Sequence, residues 1–81
     1  MIRAGDWVIF KRLPDWVEEL PPDSQTIFNF CLGRPYRVDE ITKDGHLVLD
    51  VGVEIDGIFG GFMNDIRVPP DHCELTAKPT P

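Results

Sequence analysis

The apolar positions of this chain change their spacing several times, and each change predicts a new element. Over Asp6–Lys11, Val8 and Phe10 alternate with Trp7 and Ile9. This β-branched and aromatic run predicts a first strand. Both of its faces are apolar, so one is expected to meet the core and the other to be covered by the segment that follows. From Leu13 the spacing becomes i, i+3, i+4 and i+7, which puts Leu13, Trp16, Val17 and Leu20 on one helical face. Pro14 suits a first helical position, where its missing N–H costs nothing, and Asp15, Glu18 and Glu19 complement the helix dipole. Pro21 and Pro22 end this turn or two of helix. A second helix is expected to start at Pro22, Asp23 and Ser24, with Ile27, Phe28, Cys31 and Leu32 sharing a face. Gly33 then suits the position past its end, which needs φ > 0.

Beyond Gly33 the period is two. Tyr36 and Val38 alternate with Arg37 and Asp39 in a strand that ends near Thr42. Asp39-Glu40-Ile41 breaks the alternation and predicts a bulge. Lys43-Asp44-Gly45 reads as a tight turn, and His46–Val51 as the third strand. Ile66 and Val68 mark the fourth strand, which Pro69 and Pro70 stop because proline cannot continue a ladder. Asp71-His72 reads as a 3₁₀ turn, Cys73–Thr76 as a closing strand, and 77–81 as a disordered tail. Between the third and fourth strands stands DGIFGGFMND. Two readings are open. In one, Asp56-Gly57 turns a long hairpin, with Ile55 outbound and Ile58, Gly60 and Phe62 returning on the same face. In the other, residues 53–60 form a loop, and the fourth strand starts at Gly61 or Phe62. Either way, some of Ile55, Ile58, Phe59 and Met63 lacks core to enter. Such an apolar patch marks an interface, unless it folds back over a thin core.

Five short strands with these punctuations predict a mainly β chain, a five-stranded small barrel with a helical insertion at about residues 14–32 between the first two strands. GDWVIFKR, GRPYRVDEITKDGHLVLDV and RVPPDHCEL resemble, in turn, the opening strand, the central hairpin and the ending of the SH3-like barrels. The last contains strand, 3₁₀ turn and final strand within nine residues. The whole also resembles a group of small, uncharacterised bacterial proteins built on this barrel. The resemblance implies a single domain over 1–76. The peptide-binding motifs of the eukaryotic SH3 domains, an Ala-Leu-Tyr-Asp-Tyr-type segment and a tryptophan after the second strand, are absent. Binding of proline-rich peptides therefore does not carry over, and this fold hosts many functions.

Composition narrows the chemistry. The chain has 81 residues, 42% hydrophobic and 27% charged, as in an ordinary globular domain. It shows no apolar run long enough to span a membrane and no signal peptide, so a cytoplasmic location is expected. A net charge of -6, with the basic residues scattered, makes nucleic acid a poor partner. Cys31, His46, His72 and Cys73 are the soft metal ligands, but their spacing fits no zinc motif. No nucleophile–base–orienter set can be assembled, and Gly57, Gly60 and Gly61 precede neither a helix nor a lysine. No enzymatic activity, metal or cofactor is expected.

Two features remain. Asp15, Glu18, Glu19 and Asp23 form the most acidic stretch, either a solvated helix face or a docking face for a basic partner. Trp16 lies within it. Packed on Trp7 or Ile9 it is a satellite of the core; exposed, it is an anchor of the kind enriched at interface hot spots. The expected function is a non-enzymatic protein-binding or adaptor module, acidic and able to self-associate. Its contacts are Ile55, Ile58, Phe59, Met63 and Trp16, with the acidic face steering. By analogy, the resemblance also allows an accessory subunit of a redox or metal enzyme, and, less well, a nucleic-acid-binding domain.

Overall fold

A computed structural model describes residues 1–59 and 65–79, apart from the side chains of Val53, Asp56 and Phe59. The alternating segments form antiparallel strands: β1 (Trp7–Phe10), β2 (Pro35–Ile41), β3 (Leu47–Leu49), β4 (Ile66–Val68) and β5 (Cys73–Thr76). They build one five-stranded sheet in the order β4-β3-β2-β1-β5. β1 sits between β2 and β5, with Val8 opposite both Tyr36 and Leu75. The β2–β3 register shifts between Val38 and Glu40, where the sequence pattern breaks. Gly45, at φ +86°, closes the β2–β3 turn, and Gly33, at φ +82°, lets the chain leave the insertion for β2.

The insertion supplies a 3₁₀ turn (Asp15–Glu19) and a helix, α1 (Pro22–Cys31). A second 3₁₀ turn, Pro70–His72, links β4 to β5. The core lies where the insertion meets the sheet. Phe28 of α1 packs edge-on against Phe10 of β1, with ring centroids 6.3 Å apart, and Val8, Cys31, Val38 and Leu49 are fully buried beside them. The insertion thus covers the Val8 and Phe10 side of β1, which is also the core side. The expectation that the insertion covers the face of β1 away from the core is corrected: Trp7 and Ile9, on that other face, are half-buried and stand outside the core cluster.

A larger correction concerns the segment after β3. Residues 52–59 form neither an extended hairpin nor a loop. They form a second helix, α2 (Gly52–Phe59). Val51 and Ile55 point the same way in a strand and also in a helix, so their spacing alone does not decide the element. The helix wins because it carries Ile55 into the core, fully buried, with its N–H donating to the Val51 carbonyl at 2.9 Å. β3 is correspondingly short. Gly60, Gly61, Phe62 and Met63, to which the sequence assigned the start of β4, core and contact roles, lie outside the described residues. So do Thr80 and Pro81 of the tail, whose residues 77–79 are exposed and irregular.

Candidate functional site

The 3₁₀ turn of the insertion sorts its side chains by direction. The Val17 N–H donates to the Pro14 carbonyl at 3.1 Å, and the Leu20 N–H to the Val17 carbonyl at 3.0 Å. This winding turns Val17 into the core and leaves Asp15, Trp16, Glu18 and Glu19 outside. Trp16 does not pack on Trp7 or Ile9. Its ring stands edge-on to Phe28, centroids 5.5 Å apart and planes at 87°. Phe28 thereby links an indole that is still 37% exposed to the buried core.

Two hollows flank Trp16. One, of about 380 Å³, is floored by Trp16, Leu20, Phe28 and Ile66, with Ser24, Asp65 and Arg67 at its walls. The other, of about 260 Å³, is lined by Trp16, Thr42, Asp44, His46 and Arg67. A third, of about 330 Å³, opens behind the turn between Asp15, Glu18, Gln25 and Asn29. Asp15, Glu18, Glu19 and Asp23 are all exposed. Among the described residues none of the four forms an ion pair. The pairs that do form, such as Lys11–Glu74 at 3.7 Å and Arg12–Asp71 at 3.8 Å, lie elsewhere. Trp16 and these four carboxylates are all carried by the insertion, but Asp15 and Glu18 border the third hollow while Trp16 borders the other two.

The apolar contacts expected around residue 58 separate. Ile55 is core, so its assignment to a partner surface is corrected: the helical turn points it inward. Ile58, one residue short of a full turn later, is 58% exposed. Met63 and the side chain of Phe59 lie outside the described residues.

The sequence reading missed a polar chain where α1, β2 and α2 meet. The buried Tyr36 hydroxyl donates to Glu54 Oε1 at 2.9 Å, and Arg34 Nη1 approaches the same oxygen at 3.9 Å. Arg34 lies over the Phe30 ring, 4.0 Å from its centroid, and its Nε donates to the Phe30 carbonyl at 3.0 Å. Cys31, at the end of α1, is fully buried in the same core cluster as Tyr36. Burial pushes its thiol up, against a smaller opposing effect of Tyr36. Burial also raises the Tyr36 hydroxyl, with Cys31 and Glu54 adding to it. The signal was available: a tyrosine on the inward face of an alternating strand needs a partner for its hydroxyl. What the pattern did not specify was Glu54, because its helix was not foreseen.

Cys73 is half-buried and is pushed up to about 11 by burial and by the negative charge of Asp71. Both cysteines are free thiols. Among the described residues no three His, Cys, Asp or Glu side chains gather as metal ligands. No helix among them is long and apolar enough to cross a membrane. The chain matches no protein-family model, no curated protein and no solved structure.

Proposed function

We propose that this chain is a non-enzymatic protein-binding module on an SH3-like barrel, with Trp16 as its anchor. The strand order β4-β3-β2-β1-β5, the β2 bulge and the 3₁₀ turn between β4 and β5 support the barrel reading. The observation that carries the binding role is the setting of Trp16. A large aromatic, seated on a core ring yet more than a third exposed, stands between two hollows. A tryptophan fixed in this way loses little conformational freedom on binding and has much surface left to bury. Exposed, unpaired carboxylates on the same insertion favour a basic partner and speed its approach. Binding rather than catalysis also fits the thiols: burial holds both in the neutral form, which is a poor nucleophile.

The test compares partners retained from a native lysate by the immobilised protein and by its Trp16→Ala and Glu18→Lys variants. Partners held by the parent are expected to fall about tenfold or more with Trp16→Ala, the size of a moderate hot spot. Glu18→Lys is expected to weaken them at low salt in particular. A folded Trp16→Ala protein that retains the same partners at the same level would overturn the reading.

A further inference from the structure

The sheet has two outer edges, and they differ. β4 is three residues long and runs into Pro69 and Pro70, which cannot donate to a neighbouring strand. β5 is longer, pairs with β1, and among the described residues has no strand on its other side. Leu75 lies opposite Val8, so it points to the core face, yet it is 49% exposed. Glu74 and Thr76 lie opposite Ile9 and Trp7, on the other face. Residues 77–79 follow in irregular backbone, and drawn out as a continuation of β5 on pairing they put Lys78 on that same face, two residues beyond Thr76.

We propose that two copies of this chain pair through their β5 edges, antiparallel and centred on Thr76. This register sets Glu74 against Lys78 of the partner subunit, and Lys78 against the partner subunit's Glu74. Leu75 meets the partner subunit's Ala77 on the core face. Charges on an edge strand usually prevent pairing with other chains. Here their signs are self-complementary, so this register brings a second lysine to each Glu74, beside its own Lys11, in an isologous two-fold contact. The local charge also permits approach. Lys11 balances Glu74, and Arg12 balances Asp71, so both carboxylates near this edge already face a cation. The net charge of -6 on each copy still opposes association at long range, which makes the pairing reversible and dependent on concentration.

The experiment is sedimentation velocity over a concentration series. The parent protein is expected to shift from monomer towards dimer as concentration rises. Glu74→Lys and Lys78→Glu, each alone, place like charges opposite one another and raise the dissociation constant about tenfold. The double exchange, Glu74→Lys with Lys78→Glu, restores the parent value. Circular dichroism confirms that these exposed substitutions leave the fold in place. A parent protein that stays monomeric throughout overturns the proposal. So do single variants that associate as the parent does, or a double exchange that fails to restore it. Trp16→Ala leaves the dissociation constant unchanged, which separates this surface from the Trp16 face.

Discussion

Ile55 and Ile58 stand three residues apart on α2 and have opposite fates. Ile55 is fully buried and Ile58 is 58% exposed. Ile55→Ala is expected to cost about 2–5 kcal/mol, since it leaves a cavity that a thin core cannot close. Ile58→Ala is expected to change stability by about 0.5 kcal/mol or less. Urea denaturation checks both, and equal costs would contradict the burial assigned here. The thiols make a second residue-level prediction. Cys31 and Cys73 are raised from an ordinary value of 9.0, Cys73 to about 11. The folded protein therefore keeps protons that the unfolded chain releases. Their contribution to stability is complete below about pH 9 and is lost as pH rises towards 11. Denaturation midpoints should fall over that window, and Cys73→Ser should flatten the fall. A midpoint that rises there would contradict the assignment.

At the scale of elements, the chain was most legible where one pattern admits one structure. β1, β2 and β5 follow from alternation, and the Gly33 and Gly45 stops follow from positive φ. α1 follows from its proline start and 3.6-residue spacing. The first piece starts at the expected proline but is a 3₁₀ turn, and it separates Val17, buried, from Trp16, exposed, where the spacing had put both on one helical face. α2 was not legible, because Val51 and Ile55 satisfy strand and helix alike and β-branched residues favour the wrong choice. Tertiary contacts decide it: Ile55 in the core and Glu54 against Tyr36. The candidate site was half legible. Trp16 and the four carboxylates could be named from their order in the chain, but Phe28 as the seat of Trp16 could not. That contact depends on how α1 lies against β1. The polar chain gives the matching prediction. Tyr36→Phe removes the hydroxyl bond to Glu54 and should cost about 1–2 kcal/mol. Hydrogen exchange should quicken first at 52–59, ahead of the sheet. Unchanged protection of α2 would show that the bond does not hold the helix.

At the scale of the molecule, charge and apolar surface are distributed unevenly. The sheet buries its inward side chains under the insertion. The cations near the β1 and β5 ends are taken up by Glu74 and Asp71. The insertion carries four exposed carboxylates without an ion pair among the described residues, and an exposed tryptophan. The proposed partner site on the insertion and the proposed self-pairing edge at β5 therefore lie on different elements. The most direct measurement concerns Trp16 itself. In a Trp7→Phe protein, Trp16 is the sole tryptophan. Its emission is to be followed as the partner retained from lysate is added back, with complex formation checked independently by mass. A shift to shorter wavelength, with protection from acrylamide quenching, is the result expected of a buried anchor. A complex that forms while Trp16 emission and quenching stay as in the free protein would contradict the account.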